Sequence, residues 1–553
     1  MMLSQGQSAE QMVSFDTFQA SVASVPNEAS HRLVLLTARQ IGPEFALLAV
    51  LGRLEDAARE AAPGTACRSQ SGVEVLQTVL ESSSFPSFTP SVPQAHWFER
   101  AIFDFFRLAP EGHPRFKSLI LHEPWSADMF PLRDPGGEKI CGFDAATSPT
   151  RHRSYEFLRV RGAGVYEIPV GPIHAGIIEP GHFRFSCLGE IIENLEIRLG
   201  YQHRGLERRV TEVPWQHVRF VAENASSDTT VANAIAHAHA VEQLCGIEVS
   251  PAARALRVVA CELERLACHI GDLGGICSDI GFLGGATTFG RLRGTVLGMA
   301  ERLGGSRFLT NYVRPGGVRS LPSEEMRHEL ATALRELRRE LSWALPGLLE
   351  NQGALDRMEG VGTVRADFAR DFGLVGPAGR ASAGLVDAPV ASSSAGKSHG
   401  EGGAALHRDA VGRGGAPPYD VRAAFGRDDY PDLRVAARTT GDVCARVAVR
   451  AAEVQCSLDL VAARLDVREG PACVALPEYL PAHRIGIGLV EAWRGELLHL
   501  IVTGASGEIV RYAVKDPSFN NWTGLAIAAR GELVFDFPLC NKSFGLSYSG
   551  NDL

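Results

Sequence analysis

Residues 96–124 read HWFERAIFDFFRLAPEGHPRFKSLILHEP, and the apolar positions of the first half recur at helical spacing. Glu99, Asp104 and Arg107 punctuate that apolar face, while Pro110 and Gly112 end it, which predicts a packed amphipathic helix followed by a turn. Around it, residues 15–123 mix this helix with strand-like and turn-rich pieces, the pattern of a small α+β domain assigned here to residues 1–127. Working outward, a segment rich in Pro, Gly, Arg and Asp makes 128–169 a connection, and a second domain runs from 170 to 553.

Helical patterning dominates 188–349 and returns at 441–465. Short strand-like runs at 496–503 and 509–514 precede a Gly-, Asn- and Ser-rich tail. The stretch 383–418 lacks large apolar residues and reads as a flexible insert. The fold class expected is therefore α+β, with a small N-terminal α+β domain and a large, mainly helical domain carrying short β elements at both of its ends.

The chain has 553 residues, 45% hydrophobic and 22% charged, which is ample for substantial cores. A formal net charge of −9 argues against nucleic acid as a partner. Its 11 cysteines include no Cys-x-x-Cys pair, the pattern of reduced thiols rather than of a disulfide framework. The opening Met-Met-Leu-Ser-Gln is not a signal peptide, and apolar runs such as Leu33–Leu36 are too short to span a bilayer. Membrane association is therefore expected only through partners, at the cytoplasmic face of the cell membrane. No Gly-x-Gly-x-x-Gly follows a strand, so no nucleotide site is expected on this chain.

The stretch from Glu99 to Trp125 resembles the signature of the smaller peripheral-arm subunit of respiratory complex I, the NADH:quinone oxidoreductase. The strings GPIHAGIIEPGHFRF (171–185), LGYQHRGLERR (199–209), ELERLACHIGDLG (262–274) and NYVRPGGV (311–318) resemble the quinone-site subunit of complex I. They also resemble its relatives, the large subunits of energy-converting [NiFe] hydrogenases of the formate hydrogenlyase and hydrogenase-4 type. The resemblance implies two subunits fused in one chain. It implies as partners an iron–sulfur subunit carrying the nearest cluster, antiporter-like membrane subunits and a quinone-channel-type subunit. A quinone and, at the level of the whole complex, NAD are the cofactors it implies.

That same resemblance exposes a departure. Where the hydrogenases carry two Cys-x-x-Cys pairs, this chain has Glu223 and Ser226 in RFVAENAS, and Ser518 and Asn521 in DPSFNN. Nickel and iron are held by soft thiolates, which hydroxyl, carboxylate and amide oxygens do not replace; hydrogen activation is expected to be absent and no metal is assigned. For quinone chemistry, His174 keeps the first histidine of the relatives, His182 is an imperfect replacement for the second, and Asn224 falls near their tyrosine.

His203, Arg204 and Glu207 resemble the loop facing the nearest iron–sulfur cluster, where a fixed cation raises the cluster's potential. An Arg204–Glu207 ion pair around Gly205 is the structural alternative. The candidate catalytic set is thus His174, His182, His203, Arg204, Glu207 and Glu223. Glu262, Arg265, His269 and Asp272 share a helical face, read either as a solvated, salt-bridged surface or as a buried proton path. His237 and His239 point to different faces and make a poor metal pair. Asp228, Thr229 and Thr230 read equally as a helix cap or as a hydrophilic wall of the former metal cavity. Two further readings stand beside electron transfer or redox-coupled ion translocation: a noncatalytic assembly scaffold, and a formate hydrogenlyase hydrogenase subunit.

Overall fold

The computed structural model describes residues 10–27, 31–53, 72–125, 129–133, 155–176, 178–383, 419–424, 429–430 and 433–553. The expected flexible insert, apart from Ala383, lies outside the described residues, as does 134–154 of the expected connection.

At the N-terminal end, Glu10–Met12, Val73–Leu80, Glu44–Arg53 and His31–Ile41 form a four-stranded sheet in that order. The first pair is parallel and the others antiparallel. The signature helix, His96–Phe106, packs Phe98, Ile102 and Phe106 into the same core as Leu33–Leu36 and Leu47–Leu51. It stops at Arg107, whose φ of 60° puts it in the left-handed region, three residues before Pro110.

Of the three charges that punctuate its apolar face, Glu99 and Asp104 are buried and hold loops, while Arg107 is exposed at its end. Glu99 accepts from Phe88 N at 2.5 Å and from the Ser87 and Thr89 hydroxyls at 2.6 Å. Asp104 accepts from the backbone N–H groups of Leu119, Ile120 and Leu121 at 2.8–3.2 Å. Each carboxylate therefore folds a neighbouring stretch of backbone onto the helix, which explains why acids occupy this face.

A second sheet, Val165–Val170, His182–Leu188 and Ile191–Arg198, is antiparallel. Its first strand begins inside the expected connection, and its last occupies a region expected to be helical. The long helices Pro251–Asp279, Leu283–Gly304, Glu324–Leu349 and Val443–Arg464 then surround one large apolar core. Ser250, Ser323 and Asp442 cap three of them, each accepting from a backbone N–H three residues on.

The third sheet joins these parts. Ile485–Ala492, Gly495–Thr503 and Ile509–Lys515 pair antiparallel, and the first two strands are buried at every position. Leu498, Leu500, Val502 and Ala513 share the N-terminal core, while the opposite face lies on the helix Thr230–Cys245. Gly486 and Gly488, two apart and so on one face, let that helix approach; a Cβ at either would overlap the carbonyl oxygen of Ala240 or Ala236.

Replacing Gly488 by Ala is expected to lower unfolding free energy by about 3 kcal/mol or more, because the overlapping atom is backbone. Urea denaturation of the variant against the parent checks this.

Candidate functional site

The C-terminal sheet delivers Lys515 and Asp516 to the start of the helix Ser518–Ala528, and Asp516 is the hub of the surrounding hydrogen bonds. Its carboxylate accepts from the Ser226 hydroxyl at 2.7 Å and from Ser518 N at 2.8 Å. Ser518 Oγ in turn accepts from Ser547 N at 2.9 Å. Gly550 closes over the pair, since a Cβ there would lie 2.5 Å from Ser226 Oγ and would overlap the Asp516 carboxylate.

Of the four residues expected to line the former metal cavity, two meet here and two do not. Asn521 turns to the backbone of Val375, accepting from its N–H at 3.0 Å and donating to its carbonyl at 3.2 Å. Glu223 accepts from Asn311 N at 2.9 and 3.0 Å. Burial, opposed by that N–H and by Arg219 and Arg314, raises Glu223 to about 7. Ser226, Ser518, Asn521 and Glu223 are thus oxygen donors engaged with the chain itself, and they do not fit a nickel–iron centre.

The segment Ser547–Asp552, read in sequence as a tail, is buried and forms the wall opposite Asp516. Asp552 accepts from Gly200 N at 2.8 Å and Gln202 N at 2.9 Å, and its carbonyl is 2.8 Å from His203 Nδ1. Glu179 receives Tyr548 N and Ser549 N at 3.2 and 3.3 Å. His203 also stacks on Phe105 of the signature helix, with ring centroids 5.6 Å apart.

Arg204 does not pair with Glu207. Its guanidinium donates to the carbonyls of Asn224, Ala225 and Ser549 at 2.7–3.1 Å, so it ties the Glu223–Ser226 turn to the Ser547–Asp552 segment. Glu207 instead meets Arg511 at 2.9 Å and accepts from Val514 N at 2.9 Å. The ion pair formed is the one that anchors the helix Leu206–Glu212 to the C-terminal sheet. It also lines a small cavity with Asp516, Phe519 and Asn551, of about 50 Å³, room for a few waters.

His174 sits on the loop above, and His182 opens the strand His182–Leu188 that follows it. His174 Nε2 is 2.7 Å from Gly181 O, and His182 Nδ1 is 3.1 Å from Gly171 O. Burial lowers His182, with its bond to Gly171 opposing, so both rings brace the turn between Val165–Val170 and His182–Leu188.

Beside the cavity, Asp228 makes a bidentate pair with Arg494 at 2.5 and 2.7 Å, and Thr229 Oγ1 accepts from Trp493 Nε1 at 3.2 Å. Neither caps the helix Thr230–Cys245 through its side chain. That end is served from another element, by Glu264, which accepts from Val231 N at 2.6 Å and Ala232 N at 3.2 Å. His237 lies in a buried relay with Tyr512, His499 and Asn233 at 2.7–3.0 Å. Among the described residues no cluster of three His, Cys, Asp or Glu has metal-site geometry.

Sequence reasoning missed Asp516 as the hub and Asp552 as a buried acceptor. The retained Asp516-Pro517 pair was the available signal for the first; nothing local marked the second.

The model of the respiratory-chain NADH dehydrogenase 30 Kd subunit matches residues 27–135, and that of the 49 Kd subunit matches 279–391. Over 88% of this chain and 80% of the relative, the sequence is 31% identical to formate hydrogenlyase subunit 5 of Escherichia coli (strain K12). It is also 31% identical to hydrogenase-4 component G of the same organism, over 85% of this chain and 76% of that one. In fold, it is similar to a chain in the structure of the membrane-bound sulfane sulfur reductase, an archaeal respiratory membrane complex. That match has a TM-score of 0.60 and 23% identity, covering 70% of this chain and 99% of the other.

Arg204→Ala removes three charge-assisted hydrogen bonds and should cost about 2 kcal/mol of stability, measured by urea denaturation. For Glu223, the native state keeps a proton that the unfolded chain has released. Its stability contribution is complete below the ordinary carboxylate range and is lost as pH rises through about 7. Glu223→Gln should therefore decline less in stability than the parent between about pH 5 and about pH 8, read from denaturation midpoints.

Proposed function

The chain belongs to the family of fused 30 Kd/49 Kd-type subunits found in formate hydrogenlyase, hydrogenase-4 and NADH-quinone oxidoreductase complexes, and from that premise we propose a role without hydrogen chemistry. It is a peripheral-arm subunit of a membrane-bound oxidoreductase complex of this kind, and takes part in electron transfer coupled to ion translocation. A partner's iron–sulfur cluster supplies the electrons, and a quinone-class acceptor receives them at the face shared with the partners. Antiporter-like and quinone-channel-type subunits complete the assembly, with NAD used only elsewhere in it. Attachment is to the inner face of the cell membrane through those partners, since among the described residues no helix is long and apolar enough to cross a membrane.

One observation carries the reading: Asp516 has taken the Ser226 hydroxyl and the Ser518 N–H as partners, under Gly550. A site whose donors are satisfied internally has no unspent ligands for a soft metal. Proton exchange remains available on the adjoining turn, because Glu223, bonded to Asn311 N, holds its proton near neutrality. His203 and Arg204 face the same wall and would transmit changes at the partner's cluster to the Glu223 turn and the Ser547–Asp552 segment.

The purified complex should contain iron but no stoichiometric nickel by elemental analysis, and should reduce a quinone analogue. Stoichiometric nickel would overturn the reading. Quinone reduction should fall at least about tenfold in Arg204→Ala with assembly intact; unchanged turnover would favour the scaffold reading instead.

A further inference from the structure

The helical face of Glu262, Arg265 and His269, expected to be either a solvated surface or a buried path, is buried, and its charges answer one another. Arg265 meets Glu262 at 3.0 Å, and His269 meets Glu453 at 2.7 Å. The turn that holds Glu223 differs.

Backbone strain and positive charge meet at that turn. Leu309 and Asn311 take φ of 54° and 60°, left-handed conformations that residues other than glycine hold only where the surroundings fix them. The bend presents Asn311 N to both carboxylate oxygens of Glu223 at 2.9 and 3.0 Å. Glu242 and Arg257 brace it from behind. Glu242 accepts from Gly316 N at 2.7 Å, and Arg257, paired with Glu242 at 2.9 Å, donates to the carbonyls of Arg314 and Gly317 at 2.7 and 3.2 Å.

Two arginines converge on the front. Arg219 lies one helical turn before Glu223, whose N–H donates to the Arg219 carbonyl at 3.0 Å, and its guanidinium sits over the Phe220 ring at 4.4 Å. Arg314 donates through Nε to the Asn311 carbonyl at 3.4 Å. Both are half-buried, and among the described residues neither bonds a carboxylate. The charged and titratable groups facing this turn are Arg219, Arg314, Glu223 and, from the stretch that pairs with Gly317, Cys473. Glu242 adds nothing to the balance, because Arg257 neutralises it. Two cations therefore face one carboxylate, whose oxygens are both turned to Asn311 N.

Beside them, Arg219 Nε and Asn311 Oδ1 are buried without a hydrogen-bond partner. Buried polar groups are ordinarily paired, so two orphans at one place mark where a further partner binds. A half-turn of the Asn311 amide exchanges Oδ1 for the Nδ2 donor, which makes both of them donors.

We propose that Arg219, Arg314 and Asn311 form a binding site for a doubly charged tetrahedral oxyanion, of the phosphate or sulfate class, with Glu223 as its inner wall. Two guanidinium groups match two negative charges, and their planar N–H pairs fit adjacent oxygens of such a group. Glu223 sets the charge of the site. Burial raises it to about 7, so below that pH its carboxyl is neutral and the arginines are unopposed, while above it the carboxylate repels the anion. Binding is noncovalent, with no electron or group transferred. The site goes beyond the redox role proposed above, since it stands whether or not a quinone is reduced.

Equilibrium dialysis of the full chain against radiolabelled sulfate, at fixed ionic strength, tests it. One sulfate per chain should bind at about pH 6 with a dissociation constant of about 1 mM or tighter; no saturable binding would overturn the proposal. R219Q and R314Q should each weaken binding at least about tenfold. R219K, which keeps the charge but loses the fork, should fall between R219Q and the parent. R339Q, on the exposed side of the helix Glu324–Leu349, should bind as the parent does. Equal loss in R339Q, or unchanged binding in R219Q and R314Q, would overturn the site.

Sulfate keeps its double charge throughout the neutral range, so pH reads Glu223 alone. Raising the pH from about 6 to about 8 should weaken binding in the parent and leave E223Q nearly unchanged. The same fall in both proteins would overturn Glu223 as the wall. Competition distinguishes the source of the anion: displacement of sulfate by glycerol phosphate assigns a phosphate carried on a larger molecule, and displacement by inorganic phosphate alone assigns the free ion. Failure of both to compete would overturn the ligand class.

Discussion

Burial of the C-terminal sheet on both faces is the constraint on which the rest depends. A sheet with no solvent face must have apolar residues at successive positions, and IGIGLVEA and GELLHLIVT supply them. One face closes the N-terminal core and the other receives the helix Thr230–Cys245 at glycine-limited distance. Lys515 and Asp516 then emerge from its last strand at the junction of all three parts. The candidate site is therefore a consequence of where this sheet ends.

Depth also governs the charges. At a surface, ion pairs contribute little, but here Lys515 meets Glu496 with both side chains at most 1% exposed, and Arg32 from the N-terminal sheet joins them at 3.2 Å. Such clusters cost desolvation and are tolerated only when nearly every donor and acceptor is satisfied. They also make the relative placement of the elements specific, because a shift of either sheet would strand a buried charge. The Asp516 site follows the same rule, closed by hydrogen bonds from Ser226 and the Ser518 N–H.

Much of the architecture was legible. The signature helix, the long helices and the C-terminal strands follow from periodicity, and the α+β class with its mainly helical second part follows from their order. The strand Ile191–Arg198 was not read, because its polar residues Asn194 and Glu196 break the apolar pattern, and their partners Arg530 and Lys117 are distant in sequence. The acids of the signature were visible, but only as punctuation of an apolar face. Only the folded chain brings the backbone at 87–89 and 119–121 to them.

For the candidate site, the sequence by itself determined which chemistry is absent: four positions without thiolates are oxygen donors in any fold, and donor softness is a property of the atoms. Only the tertiary structure decided how those oxygens are used. Ser226 and Asp516 are 290 positions apart, and Arg204 reaches Ser549 across 345. Hydrogen bonds act over about 3 Å regardless of separation along the chain, so local pattern carries no information about such pairs. The Arg204–Glu207 pairing, the structural alternative for that loop, does not form for that reason, since Arg511 offers Glu207 a buried partner and backbone carbonyls satisfy Arg204.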